Sequence, residues 1–164
     1  MSRAADTALM KSILFADDNI NIRAFCKQEL EAEGYRVLLA SDGEEAARLL
    51  HYASIDLAIL DIGMPIVGGV EAGRRIKSIA PDIPIIFFTA NGRHRMPNRW
   101  SELAFACLEK SNDLSELKRL CASVLQPQGS RSSEAGTVET TVGLPSSFDL
   151  MEGGQNVNPH VPSH

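Results

Sequence analysis

The sequence predicts an α/β fold: a doubly wound parallel sheet built from five strand–helix units. Five short apolar runs of strand length alternate with segments of helical period across residues 11–125. Strands that alternate with helices form parallel sheets with helices on both faces. Right-handed crossovers then leave few possible topologies, and the order 2-1-3-4-5 is one of them.

Composition limits the classes of function. The 164 residues suit one domain with some chain to spare, and 44% apolar content is enough for a core. A net charge of −5 lacks the basic footprint of nucleic-acid binding. The three cysteines form no C-x-x-C pair, which favours free thiols in a reducing compartment. With no apolar run of membrane-spanning length, we expect a cytoplasmic protein that contacts neither membrane nor nucleic acid.

The first half of the chain supplies two units. Residues 12–16 form an apolar strand that runs directly into Asp17 and Asp18, and an amphipathic helix follows. Residues 35–40 form the second strand. Asp42 then opens the second helix as its N-cap, ahead of two glutamates that suit a first turn.

The third strand, residues 57–60, is apolar throughout and ends at Asp61. Such a run, bounded by turn formers, is typical of a strand buried on both faces. The third helix stops at Pro81. The fourth strand covers residues 83–88 and ends at Thr89.

The fifth unit is less regular. Residues 91–102 are rich in arginine and contain a proline, so we expect a short or distorted helix there. Residues 103–108 read as the fifth strand. A clear amphipathic helix ends near Leu125, with Asn112 or Asp113 as its expected N-cap.

From residue 126 onward the periodic pattern is lost. Residues 126–164 are dominated by Ser, Gly, Thr, Pro and Asn, with scattered apolar positions. Such a segment buries too little apolar surface to offset its ordering entropy, so we predict a disordered tail. The tail is too polar for a helix-turn-helix module, and we expect no DNA-binding output domain.

Polar side chains end four of the five predicted strands. They are Asp17 and Asp18, Asp61, Thr89 and Lys110. The carboxyl ends of parallel strands share one edge, where ligands gather in open α/β sheets. Crowded carboxylates repel one another unless a cation relieves them, and hard oxygen ligands suit Mg²⁺. An amine beside them can bind an anionic oxygen, so the set favours phosphoryl transfer to a carboxylate.

Each of these residues also has an ordinary structural explanation. Asp17 and Asp18 could cap the first helix, Thr89 could bond its own turn, and Lys110 could be a solvated surface lysine. All of these explanations must hold together to remove the site, which makes the functional interpretation the stronger one.

Four motifs carry a family resemblance. The segments ILFADDN, LAILDIGMP, IIFFTA and CLEKS, in that order, resemble a response-regulator receiver domain. The resemblance covers residues 11–125. Within the family, this segment is most similar to stand-alone receivers of the chemotaxis type, which implies a flavodoxin-like fold. It implies a two-component phosphorelay protein that accepts a phosphoryl group on Asp61 from a histidine kinase or histidine phosphotransfer protein. Signalling would then pass to a downstream protein, with no enzymatic turnover of its own.

The resemblance also implies roles for the edge residues. Mg²⁺ would be held by the carboxylates of Asp18 and Asp61 and by the Gly63 carbonyl, while Asp17 would act mainly through a metal-bound water. The Thr89 hydroxyl and the Lys110 ammonium would bind phosphoryl oxygens.

Three positions depart from the family pattern. Cys107 stands where receivers usually carry Tyr or Phe, so coupling from Thr89 to the surface would be altered. Ser111 replaces the usual proline after the lysine, which removes the reason for a cis peptide at a cost of about 2.5–4 kcal/mol. Gly63 has no side chain to steer an attacking water, which predicts slow self-dephosphorylation.

Two alternatives stay open at this point. A pseudo-receiver that signals without phosphate is favoured by Cys107 and Ser111 but opposed by the retained acidic residues and lysine. A haloacid-dehalogenase-type hydrolase would need a general-acid Asp two residues after Asp61, where Gly63 stands.

Overall fold

The computed structural model describes residues 10–90, 100 and 102–126. Five strands and four helices are formed within these residues. In chain order they are β1 Ser12–Ala16, α1 Ile20–Ala32, β2 Arg36–Ala40, α2 Gly43–Leu49, β3 Leu57–Leu60, α3 Gly69–Ile79, β4 Ile85–Thr89, β5 Ala106–Glu109 and α4 Ser115–Leu125. The expected helix within 91–102 and the predicted tail fall almost wholly outside the described residues.

All five strands are parallel, and their order in the sheet is β2-β1-β3-β4-β5. This confirms the predicted flavodoxin-like fold. The three central strands are buried along their whole length, as expected for strands covered on both faces. The core therefore positions the carboxyl ends of β1, β3 and β4 side by side.

Two apolar clusters cover the two faces of the sheet. Helices α1 and α4 pack on one face through buried residues that include Leu30 and Leu117. Helices α2 and α3 pack on the other through Ala46 and Ile76. Each fully buried aliphatic side chain contributes about 1.5–3 kcal/mol relative to an exposed one, so both layers stabilise the sheet.

Several boundaries differ from the predicted ones. The fourth strand begins at Ile85 rather than at residue 83, and Pro84 precedes it, where its missing N–H does no harm. The fifth strand begins at Ala106 rather than at residue 103. The N–H groups of Leu103 and Ala104 both donate to the Trp100 carbonyl, so this apolar stretch forms a turn that covers the sheet.

The predicted helix caps are partly correct. Asp42 caps α2 as predicted and accepts from the N–H groups of the two following glutamates. The N-cap position of α4 is Leu114, which makes no side-chain cap bond. Neither Asn112 nor Asp113 takes that position, although Asp113 still accepts from the Ser115 N–H at 2.9 Å.

The described residues contain no helix long and apolar enough to cross a membrane. Cys26, Cys107 and Cys121 all lie among the described residues, and none of them forms a disulfide. Cys26 and Cys121 are buried in the same cluster, and burial raises the pKa of each thiol to about 12. They serve as small core residues.

Candidate acceptor and metal site

The predicted edge residues meet at one place. Asp17 follows β1, Asp61 follows β3, Thr89 ends β4, and Lys110 follows β5. Asp17 is completely buried, while Asp61 and Thr89 are only 6% and 8% exposed. These polar groups lie inside the molecule because the strands that carry them are core strands.

The three carboxylates form a tight cluster. One oxygen atom from each of Asp17, Asp18 and Asp61 lies within 4.8 Å of the others. Asp18 is exposed to solvent, so the cluster opens outward on its side. Such crowding of like charges is costly without a cation.

Lys110 supplies part of the neutralising charge. Its Nζ lies 2.7 Å from Asp17 Oδ2 and 3.2 Å from Asp61 Oδ2. Burial alone would lower the pKa of Lys110, but its close contacts and charge interactions with Asp17 and Asp61 outweigh burial and raise it. The lysine therefore stays charged and bridges two of the three carboxylates.

One atom of the cluster lacks a well-aligned donor. Asp17 Oδ2 is buried and has no hydrogen bond of proper geometry, although it lies within ion-pair distance of Lys110. The contact with Lys110 is therefore an ion pair of short distance in which the donor is poorly aligned with this oxygen. Burial raises the pKa of Asp17, against the opposing effects of Lys110 and the Asn19 N–H.

Asn19, and neither aspartate, caps the first helix. Its Oδ1 accepts from the N–H groups of Asn21 and Ile22 at 2.9 and 3.3 Å. Its own N–H donates to Asp17 Oδ1 at 2.9 Å. The capping explanation for Asp17 and Asp18 is therefore wrong, and their carboxylates face the cluster.

The loop after Asp61 is fixed by close backbone contacts. The Asp61 N–H donates to the Ala16 carbonyl at 2.8 Å, and the Gly69 N–H donates to the Ile62 carbonyl at 3.2 Å. A Cβ on Gly69 would lie 2.1 Å from the Asp61 carbonyl oxygen, so only glycine fits there. A Cβ on Gly63 would meet nothing nearer than Asp61 Oδ2 at 3.9 Å.

The same loop contains a strained residue. Ile66 has a φ of +65°, which is rare for a β-branched side chain, and its side chain is 82% exposed. The Val67 N–H donates to the Pro65 carbonyl across it at 2.7 Å. Strain of this kind concentrates at functional sites, and here it lies five residues beyond Asp61.

A family model for the response regulator receiver domain matches residues 13–122. The chain belongs to this family.

Known relatives agree with this assignment. The receiver is 43% identical over 84 residues to the CAI-1 autoinducer sensor kinase/phosphatase CqsS of Vibrio cholerae, covering 49% of this chain and 12% of CqsS. It is 41% identical over 81 residues to the response regulator SaeR of Staphylococcus epidermidis, covering 49% of this chain and 35% of SaeR. The chain thus spans between about an eighth and a third of these curated relatives.

Solved structures share the fold over nearly their whole length. A chain from the complex of histidine kinase ThkA with response regulator protein TrrA is 38% identical, with a TM-score of 0.66. The match covers 71% of the present chain and 99% of the solved chain. TrrA of Thermotoga maritima in complex with Mg(2+)-BeF is 36% identical, with a TM-score of 0.62. That match covers 70% of the present chain and 99% of the solved chain.

Two departures from the family pattern, at Ser111 and Cys107, lie among the described residues. No cis peptide bond occurs among the described residues, so the bond before Ser111 is trans, and Lys110 nevertheless reaches the carboxylates. The Ser111 hydroxyl accepts from the Asp113 N–H at 2.9 Å and shapes the turn into α4. Cys107 is half-buried beside its strand neighbour Phe87.

Sequence reasoning missed one residue of this receiver's site. The guanidinium of Arg23 reaches back along α1 and donates to the main-chain carbonyl of Asp17 at 2.6 Å. An arginine one turn into a helix that starts beside an acidic pair was the available signal. It was not decisive, because surface arginines at such positions are common.

Proposed function

We propose that this receiver accepts a phosphoryl group on Asp61 from a phosphohistidine of a partner protein. The observation that carries the proposal is the position of the Asp61 carboxylate, which is almost buried and lies 3.2 Å from a charged lysine within a cluster of three carboxylates. A nucleophilic carboxylate beside a cation and a metal-binding group is the arrangement that phosphoryl transfer needs.

The donor atoms fit a magnesium ion. Three carboxylates lie close enough to share one cation, and Asp17 Oδ2 is a buried acceptor without an aligned donor. Mg²⁺ prefers oxygen ligands and keeps several waters, which suits a cluster that opens to solvent at Asp18. We propose Asp18, Asp61 and the Gly63 carbonyl as direct ligands, with Asp17 acting through a bound water. The ion would offset the negative charge that gathers on the transferring group.

The residues of this chain would divide the remaining work. A carboxylate oxygen of Asp61 attacks phosphorus as the bond from phosphorus to the partner's imidazole nitrogen breaks, so the electron pair of that bond stays with the imidazole. Lys110 binds one phosphoryl oxygen as a point charge. The Thr89 hydroxyl, which ends the neighbouring strand, donates to another. Low exposure of Asp61 and Thr89 limits the approach of water.

The partners follow from this chemistry. We propose a histidine kinase or a histidine phosphotransfer protein as donor and a downstream protein as target, reached in the cytoplasm without direct contact with nucleic acid or membrane. The solved complex of ThkA with TrrA supports the donor class. We propose that residues 11–125 signal by binding a partner protein rather than by turning over a substrate.

A second candidate is a pseudo-receiver that binds partners without phosphorylation. Cys107 and Ser111 favour it, because they replace family residues on the segment that carries Lys110. Against it, the trans bond before Ser111 leaves Lys110 within reach of both buried aspartates.

The discriminating experiment is incubation of the purified chain with acetyl phosphate and Mg²⁺, read by intact mass. We expect one added phosphoryl group that requires Mg²⁺ and is absent in Asp61→Asn. The matched control is Asp56→Asn, at the opposite end of the same strand, where the carboxylate pairs with Lys11. Absence of the adduct under conditions that label an ordinary receiver would favour the pseudo-receiver.

A further inference from the structure

Arg23 makes a contact that the proposed chemistry does not yet use. Its Nη1 donates to the main-chain carbonyl of Asp17 at 2.6 Å, across six residues of chain. The main-chain N–H of Asp17 itself donates to the Ala40 carbonyl at 3.1 Å. The peptide groups on both sides of Asp17 are therefore held, one by a strand neighbour and one by a charged side chain.

The direction of the guanidinium is specific. Arg23 lines a groove between α1 and β2 together with Glu45. The Glu45 carboxylate accepts from the Ser41 N–H and hydroxyl, both at 2.8 Å. Glu45 is therefore bound by Ser41, while Arg23 donates to the backbone of Asp17. A hydrogen bond from a charged donor is about twice as strong as one between neutral groups.

The position of this bond matters because the acidic loop is under repulsion. Asp17 and Asp18 are adjacent, and their carboxylates converge on Asp61. Without restraint, repulsion would separate them by rotation of the loop backbone. Arg23 restrains that backbone at the Asp17 carbonyl, and the Asn19 N–H holds Asp17 Oδ1 of the side chain. Neither contact occupies Asp17 Oδ2.

We propose that Arg23 is a positioning residue that holds Asp17 and Asp18 in the geometry required to bind a divalent cation. The inference rests on the proposed function, since it assumes that this cluster binds Mg²⁺. Arg23 touches neither the cation nor the phosphoryl group; it acts through the main chain of Asp17.

Charge and geometry predict opposite effects for the loss of Arg23. A positive group near a cation site repels the cation, so removal of its charge alone would tighten Mg²⁺ binding. Loss of a group that orients metal ligands weakens metal binding by about 10- to 100-fold. The sign of the change therefore separates a positioning role from a nearby charge.

The test is calorimetric titration of Mg²⁺ into the full chain. We expect Arg23→Gln to raise the Mg²⁺ Kd by about tenfold or more. The matched control is Lys27→Gln, which removes the same charge one turn further along α1, where Lys27 contacts Glu31 and the Val37 carbonyl. For this control we expect an unchanged or lower Kd.

Thermal unfolding of each variant in EDTA measures its stability without bound metal, so an effect on folding can be distinguished from an effect on Mg²⁺ binding. Each variant is titrated below its own unfolding midpoint, so a loss of affinity reports on folded protein. Arg23→Lys, which keeps the charge and one donor, should bind Mg²⁺ with an affinity between those of the wild type and Arg23→Gln. A lysine variant that binds no better than the glutamine variant would contradict the proposal.

The outcomes also separate this inference from the proposed function. If the wild type binds Mg²⁺ and accepts a phosphoryl group while Arg23→Gln binds Mg²⁺ equally well or more tightly, the inference is overturned alone. If the wild type binds no Mg²⁺, the proposed metal site and the role of Arg23 are overturned together.

Discussion

At Asp17, a buried carboxylate opposes folding when no cation is bound. Burial raises its pKa above the ordinary value of 3.8, despite the hydrogen bonds and charge that favour ionisation. A group whose pKa is raised on folding binds its proton more tightly in the folded state. Its stabilising contribution is complete below the unfolded pKa and is lost as pH rises through the folded pKa.

Asp17→Asn should therefore stabilise the chain in EDTA at neutral pH. Because the variant removes a charge that burial disfavours, its urea midpoint should exceed that of the wild type at about pH 7. The difference should shrink as the pH falls toward 3.8, where the unfolded aspartate also becomes protonated. Urea denaturation at several pH values measures this. The exposed Asp82 serves as the control position in Asp82→Asn, and a difference independent of pH would count against the explanation.

Gly63 sets the expected lifetime of the phosphorylated state. The space beside it is open, and a Cβ there would face Asp61 Oδ2 at 3.9 Å. With no side chain to orient water, we expect slow self-dephosphorylation of the wild type. Gly63→Asn should shorten the lifetime by about a hundredfold, at the lower end of what a positioned acid–base group contributes.

Intact-mass spectra collected after removal of acetyl phosphate would follow this decay. Gly63→Ala fills the same space without a polar group, so its rate should match the wild type. A wild-type half-life of only seconds would show that another group orients the water.

At the scale of elements, the turn between β3 and α3 depends on one close approach. A Cβ on Gly69 would lie 2.1 Å from the Asp61 carbonyl oxygen and 2.7 Å from its carbon, and backbone atoms there cannot give way cheaply. Gly69→Ala should lower the free energy of unfolding by about 3 kcal/mol. It should also slow labelling by acetyl phosphate, because Asp61 shifts. Gly63→Ala is the control, and equal stability of the two variants would be inconsistent with this steric account.

The turn that precedes β5 contains a residue whose fluorescence could report on the proposed phosphorylation of Asp61. Trp100, the sole tryptophan, packs on Phe87 with ring centroids 6.3 Å apart. Phe87 and Thr89 lie two residues apart on β4 and therefore on the same face, beside the half-buried Cys107. Movement of Thr89 toward a phosphoryl oxygen should change the surroundings of the indole.

Addition of Mg²⁺ and beryllofluoride, a phosphoryl mimic, should therefore change the fluorescence emission of Trp100. Thr89→Ala should abolish most of that change, because the hydroxyl that draws β4 toward the phosphoryl group is lost. An unchanged spectrum in a wild-type preparation that acetyl phosphate does label, as judged by intact mass, would contradict coupling through this segment.

Sequence reasoning located the elements better than their ends. Apolar runs separated by turn formers predicted all five strands, because parallel strands buried on both faces are nearly continuous hydrophobic runs in the sequence. The apolar stretch at residues 103–105 was read as strand but precedes β5. An apolar turn that covers a sheet and an apolar strand within it bury similar side chains, so composition alone does not separate them.

The site was predictable for the same reason that the fold was. Once the strand order was set, the residues after β1, β3, β4 and β5 had to share one edge. The contact from Arg23 to Asp17 was not predictable, because it depends on how a long side chain folds back over its own helix. Contacts of that kind follow from three-dimensional geometry and leave no periodic signal.

On the scale of the whole molecule, the two apolar layers determine where the site lies. Residues from α1 and α4 on one side and from α2 and α3 on the other hold the sheet so that four strand ends converge. The described residues thus contain the fold and the candidate acceptor site, while residues 127–164 lie outside them. The proposed function depends on whether this site takes a phosphoryl group.

The most direct test of that claim is to locate the phosphoryl group. Protein labelled with acetyl phosphate and Mg²⁺ would be treated with borohydride, which reduces an aspartyl phosphate to homoserine, and then digested for peptide mass spectrometry. We predict homoserine at position 61 only, with no conversion when Mg²⁺ is omitted. Conversion at Asp17 or Asp18 instead, or none at any position in a protein that gains phosphoryl mass, would contradict the assignment of Asp61 as the acceptor.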